Sequence, residues 1–422
     1  MRSRRGTRLA RPGVSGSSML GAANKVLMLG WELPPRFAGG VGIVCGALTR
    51  ALARRGLDVT YLMPQADPQA PGRGVRVIGA DRVATLGVAS PLHSYASSAP
   101  PVRVPGEAVP PDGTPLYGAN LLEAVERFSA AAVDSVVDEG VDFDVIHAHD
   151  WTTFPAGALL RHSSGKPLVA HVHITEFDKS GGAHADPRVF AIEQAGMCAA
   201  DLVVTVSRRI AETCISRYGV DPSRIRVVYN GVDADRDDRG PGLPLRPLVL
   251  FLGRVTLQKG PEYFLRAAQR VLELEPDAHF VLAGTGDQLP RMVETAAELG
   301  LGRRVLFPGF VDRDRAAELY ASADVFVMPS VSEPFGIVPL EAMDRGVPVI
   351  VSRQSGVSEL LRNALKVDFW DVEDLAGKIV AALRYPSLSH HLRDAGREEV
   401  GRMSWDAVAE QVQRIYQEVA RA

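Results

Sequence analysis

The 422-residue chain has little of what would mark a secreted, metal-clustered, membrane-spanning or polyanion-binding protein. Its three cysteines, Cys45, Cys198 and Cys214, are scattered and odd in number. They outline no disulfide framework or metal knuckle and suit a reducing cytoplasm. No apolar run reaches the roughly 18 residues that span a bilayer. The formal net charge is only -3, which gives no electrostatic reason to expect a nucleic-acid partner. The first two dozen residues contain no acid and are rich in Arg, Gly and Ser. Residues 1–24 are expected to be a disordered tail, or a stretch upstream of a start at Met19, with an Arg- and Ser-rich, acid-poor targeting segment as the rival and export not expected.

What is present is globular composition, 46% hydrophobic and 23% charged, over a length suited to two α/β domains. A short apolar strand (KVLMLG, from Lys25) precedes a glycine-bearing loop, an amphipathic helix near Ile43–Arg55 and another strand. This is the unit of a parallel sheet. Residues 64–118 read as an irregular insertion carrying the short strand GVRVIGA. Regular structure resumes with a helix near Leu121–Glu139 and alternates through IRVVYNGVD. The charged, then Pro- and Gly-rich run DRDDRGPGLPLRP interrupts it, and alternation restarts at LVLFLGR. The expected organisation is a first domain over 25–235, a linker at 236–247, a second domain over 248–400 and a closing helix within 401–422. Two such domains face each other across a cleft, a common ligand position.

Chemistry-bearing residues gather where strands end. S332-E-P-F-G-I-V-P-L-E341 follows an apolar strand and opens a helix. The amides of Phe335, Gly336 and Ile337 can meet an anion, Glu333 can accept from sugar hydroxyls, and Glu341, about two turns into the helix, can reach a second polyol. G253-R-V-T-L-Q-K-G260 places Arg254 and Lys259 in one strand-to-helix loop, where two cations can neutralise a diphosphate. G39-G-V-G42, expected as a loop before the first helix, offers Gly40 and Gly42 for close backbone approach. As a dinucleotide fingerprint it is incomplete.

H147-A-H-D150 and H171-V-H-I-T-E-F177 end strands in the first domain. Histidine beside carboxylate invites a metal reading. With the rings and acids spread over separate strand ends, hydrogen bonding to a sugar is the more economical one. No metal is expected. His171 and His173 are expected on opposite faces of their strand. Asp142 and Asp144 match a D-x-D metal motif but precede their strand, so they are expected in a solvated loop.

With these motifs in hand, the chain resembles glycosyltransferase family four, nearest to bacterial and archaeal glycogen synthase-like members, over about residues 25–420. WELPP with GGVG, HDW, HVHITEFD, GRVTLQKG and the E-x7-E of SEPFGIVPLE carry the resemblance. It implies a GT-B fold: two doubly wound Rossmann-like domains, with a C-terminal helix crossing back to the first. It implies a cytoplasmic, retaining transfer of a hexosyl group, glucose foremost, from ADP- or UDP-glucose to a glucan, without metal or other cofactor.

The resemblance also assigns roles. Arg254 and Lys259 would hold the diphosphate, Glu333 the donor sugar and Glu341 the ribose. The Phe335–Ile337 amides would meet sugar or phosphate oxygens. His173 would sit by the transferred sugar and Asp150 near sugar or acceptor. Asn230 would lie at the cleft edge, with Gly309 and Phe310 beside the base. A transferase making sucrose, trehalose or another small glycoside, a nucleotide-sugar 2-epimerase and a silent glycan-binding protein are the rival readings. K-S-G-G from Lys179, where D-R-S-G is more usual, leaves the acceptor open.

Overall fold

A computed structural model describes residues 23–34, 40–65, 75–80, 121–179, 185–233 and 243–421. The chain first alternates β1 (Lys25–Leu29), α1 (Gly40–Arg54), β2 (Asp58–Met63), β3 (Val75–Gly79), α2 (Leu121–Asp138), β4 (Val145–His149) and α3 (Phe154–Ser164). It continues through β5 (Leu168–Val172), α4 (Glu176–Lys179), α5 (Pro187–Ala199), β6 (Leu202–Thr205), α6 (Arg208–Tyr218) and β7 (Ile225–Val227). These strands form one parallel sheet in the order β3-β2-β1-β4-β5-β6-β7.

The second half runs β8 (Leu248–Leu252), α7 (Pro261–Leu274), β9 (His279–Ala283), α8 (Leu289–Glu298), β10 (Val305–Gly309), α9 (Arg313–Ser322) and β11 (Val325–Met328). Then come α10 (Val338–Asp344), β12 (Val349–Ser352), β13 (Leu365–Val367), α11 (Val372–Arg384), α12 (Pro386–Val400) and α13 (Trp405–Val419). Its parallel sheet is ordered β10-β9-β8-β11-β12-β13. Strands such as LVLFL, VFVM and VIVS are near-continuous apolar runs because helices cover both faces of a parallel sheet.

Strand order reverses between β1 and β4 in one sheet and between β8 and β11 in the other. Those reversals open the crevices in which open α/β sheets hold ligands, at the strands' carboxyl ends. The two carboxyl edges meet. Ser207, after β6, donates its Oγ–H to the Pro334 carbonyl after β11 at 2.7 Å. Ser332 Oγ lies 3.3 Å from an Asp178 carboxylate oxygen. The Glu359 carboxylate accepts from the Arg208 and Arg209 amides at 2.9 Å each, capping α6 from the other domain.

Helix α13 buries Trp405, Val408, Ala409, Val412, Ile415, Tyr416 and Val419, a stripe at helical spacing. It packs on α1, so the chain ends on the domain where it began. Each fully buried large side chain of this kind is worth about 1.5–3 kcal/mol.

Two local expectations change. Gly40 and Gly42 lie in the first turn of α1 rather than in a loop before it, with Gly40 exposed and Gly42 buried. Asp142 and Asp144 lie at the amino end of the sheet as expected, and Asp142 is solvent-exposed, but Asp144 is half-buried and holds the backbone before β1. Asp144 accepts from the Asn24 and Lys25 amides, and Asp142 pairs with Lys25 at 2.6 Å. The strand GVRVIGA is present as β3. Residues 1–22 of the expected tail, most of the 64–118 insertion, and residues 236–242 of the linker fall outside the described residues, whereas Ala23, assigned to the tail, is buried ahead of β1.

Candidate active site

In the second domain the predicted residues form a row along the carboxyl edge, in strand order. Gly309, with φ of 76°, ends the outer strand β10, and Phe310 beyond it is 55% exposed. Arg254 follows β8, half-buried, with Lys259 five residues on. Glu333 follows β11 across the strand-order reversal. Lys259 Nζ donates to the Glu333 carboxylate, joining residues 74 apart in sequence. The Glu333 side chain is almost wholly enclosed and the Lys259 side chain mostly so.

Glycine geometry makes this pairing possible. Gly260 has φ of 66°, and a Cβ there would lie 2.1 Å from the Pro329 carbonyl oxygen. Only a glycine lets the lysine loop close onto the glutamate loop. Gly284 and Gly286, after β9, pack equally tightly against the backbone of the Arg254 loop: Cβ atoms would meet Gly253 O at 1.8 Å and Val255 O at 2.2 Å. The A283-G-T-G286 stretch was not singled out in the sequence. Its signal, a G-x-G directly after a strand, was available.

Glu333 also has structural support. Its amide donates to the Gln354 carbonyl at 3.1 Å, and its own carbonyl accepts from Gly356 at 2.9 Å. Among the described residues, no hydrogen bond runs from the Phe335, Gly336 or Ile337 amides to another protein group. Glu341 requires a correction. Helix α10 begins at Val338, which puts Glu341 in its first turn, not two turns inside. Its carboxylate accepts from the Tyr320 hydroxyl at 3.0 Å. Burial raises its pKa, with the Tyr320 bond and Arg345 opposing.

The first domain is built differently. Asp150 follows β4 in the left-handed region, φ 58°, a conformation rare outside glycine. One carboxylate oxygen accepts from the His173 amide at 2.7 Å and the Ile174 amide at 3.4 Å. Burial pushes its pKa up to about 7 against those two bonds. Asp150 thus holds the start of the H-I-T-E-F-D segment in place. Glu193 holds its middle, accepting from the Glu176 amide at 3.0 Å and from the Tyr218 hydroxyl. Burial carries Glu193 to about 8. Asn230 is buried after β7, two residues before Val232 bridges to Ser404 at the return of the chain to this domain.

The histidines overturn two expectations. His171 and His173 lie on one face, stacked at 4.2 Å between ring centroids, because side chains two apart in a strand share a face. Nor are the rings spread over separate strand ends. His147 and His149 on β4 join them in one buried stack, since β4 and β5 are neighbours with His149 opposite His171. Desolvation lowers the pKa of all four, His147 and His173 to about 3, and keeps the rings neutral.

Comparison with known proteins agrees with this architecture. The Glycosyltransferase Family 4 profile matches residues 38–236 and the Glycosyl transferases group 1 profile residues 235–399. The structure superposes on a sucrose-phosphate synthase from Thermosynechococcus elongatus with a TM-score of 0.74, at 24% identity over 94% of this chain and 98% of that one. Starch synthase IV from Arabidopsis thaliana superposes at 0.69, with 17% identity over 95% and 100%. The fold is that of a GT-B glycosyltransferase.

An uncharacterised glycosyltransferase of Methanocaldococcus jannaschii is 31% identical, over 93% of this chain and 97% of that one. A D-inositol 3-phosphate glycosyltransferase of Acidothermus cellulolyticus is also 31% identical, over 90% and 86%. A glycogen synthase of Mycobacterium tuberculosis is 27% identical, over 93% and 94%. The chain belongs to glycosyltransferase family four, and it is a glycosyltransferase. Among the described residues, no helix is long and apolar enough to cross a membrane.

Proposed function

We propose that this glycosyltransferase moves a hexosyl group, glucose foremost, from ADP- or UDP-glucose to a glucan acceptor with retention. The observation that carries the reading is the Lys259–Glu333 pair at the strand-order reversal of the second domain. It sets a cation and a hydroxyl-accepting carboxylate side by side, next to the Arg254 loop and the amides of Phe335–Ile337. Arg254 and Lys259 stabilise the charge that grows on the leaving diphosphate, and Glu333 orients the sugar. The leaving phosphate helps deprotonate the acceptor hydroxyl on the face it has just left. Phe310, exposed beyond β10, borders the base, and Glu341 the ribose. His173 contacts the transferred sugar. The diphosphate needs no metal, because the two side-chain cations supply its counter-charge. The starch synthase neighbour was solved with ADP and acarbose, a ligand pair in keeping with this layout.

A second reading, a small phosphorylated polyol as acceptor, is favoured by the D-inositol 3-phosphate glycosyltransferases among the relatives. A panel of ADP-, UDP- and GDP-sugars against glucan, glucose, fructose phosphate and inositol phosphate decides between them. Elongated glucan supports the first reading and a phosphorylated glycoside the second. Donor turnover with no glycoside formed would overturn both.

A further inference from the structure

The four stacked histidines lie at the centre of the first domain, and the proposed transfer uses only His173. His147, His149 and His171 are at most 2% exposed. Buried ring nitrogens are rarely left without a partner, yet His149 Nε2 has none, its Nδ1 lying 2.8 Å from His173 Nε2. His147, His149 and His171 each place one ring nitrogen within 4.8 Å of the other two.

Second, independent features match a metal site. His147 Nδ1 lies 2.6 Å from the Tyr416 hydroxyl on α13. If Nδ1 carries the proton, Nε2 presents a lone pair, the arrangement by which an outer partner fixes a ligating histidine. His147 Nε2 is 3.2 Å from His171 Nδ1. Tetrahedral zinc with Zn–N bonds of ~2.0–2.1 Å spaces neighbouring ligand nitrogens by ~3.3 Å.

We propose that His147, His149 and His171 form a three-imidazole site for one ion of the Zn²⁺ class, with the fourth position left to a non-protein donor. Three imidazoles suit zinc over magnesium or calcium, which take oxygen ligands. The site is structural. It ties β4 to β5 and, through Tyr416, to α13, and it lies in the opposite domain from Arg254 and Lys259. A second grouping, Cys45 with His149 and His173, shares His149. It would draw His173 away from the cleft and require the buried Cys45 thiol, whose pKa burial raises, to ionise.

The test uses the full chain purified without a histidine tag and exchanged into metal-free buffer after incubation with Zn²⁺. Plasma mass spectrometry is expected to find about one zinc per chain. The Co²⁺-loaded protein is expected to show the visible bands of a tetrahedral nitrogen site. His171→Gln and His147→Gln should each lower zinc occupancy by at least roughly ten-fold, with far-ultraviolet circular dichroism unchanged. The double variant His390→Ala/His391→Ala, at an exposed pair on α12, should retain the metal. Three results would overturn the site: wild-type occupancy well below one, loss of metal only in the α12 variant, or a strong thiolate-to-cobalt band, which would move the ion to Cys45. Should the core histidine variants misfold, the wild-type cobalt spectrum still decides.

Discussion

The carboxyl edges of the two sheets occupy equivalent places in equivalent folds, yet they handle polarity in opposite ways. The first domain sets at its edge the buried Asp150, whose charged form burial disfavours, with an enclosed histidine stack behind it and the Lys179–Glu176 pair as its charge. The second concentrates charge, with Arg254, Lys259 and Glu333 on adjacent loops. A sugar is neutral and rich in hydroxyls, whereas a diphosphate is multiply charged, so the division suits a substrate with one end of each kind. The difference also shows that a Rossmann-like sheet does not dictate its site: the same switch-point geometry accepts either chemistry, and side chains after β4, β8 and β11 choose.

The comparison is broken most severely by removing the second domain's cations. Arg254→Ala and Lys259→Ala are each expected to cost ~3 kcal/mol of transition-state stabilisation, or about a hundred-fold in turnover, as initial rates will show. For Lys259 a stability loss should accompany it, since Lys259→Ala leaves the enclosed Glu333 carboxylate without its cation. Adding Glu333→Gln to Lys259→Ala is expected to recover melting temperature but not activity. Near-normal turnover in both single variants would remove the charged role from this edge.

Glu333→Gln alone sharpens the distinction between sugar and diphosphate. The variant should bind free nucleoside diphosphate nearly as well as the parent while losing most turnover and donor-sugar discrimination, because a carboxylate–hydroxyl bond is worth about 1.5–3 kcal/mol. Calorimetry with nucleoside diphosphate and nucleotide sugar on both proteins separates the terms. Equal loss of both ligands would move the sugar-reading role elsewhere.

A chelator tests whether side chains alone serve the diphosphate. Initial rates in EDTA should stay within about two-fold of the untreated enzyme, given that one well-placed cationic donor already supplies ~3 kcal/mol. Abolition by EDTA with recovery on adding Mn²⁺ or Mg²⁺ would contradict that reading.

The smallest effect belongs to the first domain. Glu193 titrates at about 8 when folded against an ordinary value of 4.5. The folded protein therefore holds a proton that the unfolded chain releases between those values. Stability from this group is complete below about pH 4.5 and declines as pH rises towards 8. Melting curves should show that decline in the parent and a shallower one in Glu193→Gln; identical slopes would mean that Glu193 is not protonated in the fold.

Much of this was legible along the chain. Alternating apolar strands and amphipathic helices announce two parallel sheets, since helices on both faces demand continuous apolar strands. The α13 stripe from Trp405 to Val419 is visible at helical spacing, and Arg254, Lys259 and Glu333 stand out because each closely follows a strand. Those are local periodicities and offsets, which one-dimensional sequence preserves. The ion pair between Lys259 and Glu333, the cap that Glu359 places on α6, and the stack of His147, His149, His171 and His173 arise from strand order and packing. No spacing encodes that β4 lies beside β5, that β8 lies beside β11, or that Tyr416 reaches His147 from 269 residues away. Only the folded chain, by bringing distant segments into contact, decides which polar groups share a partner and which are buried without one.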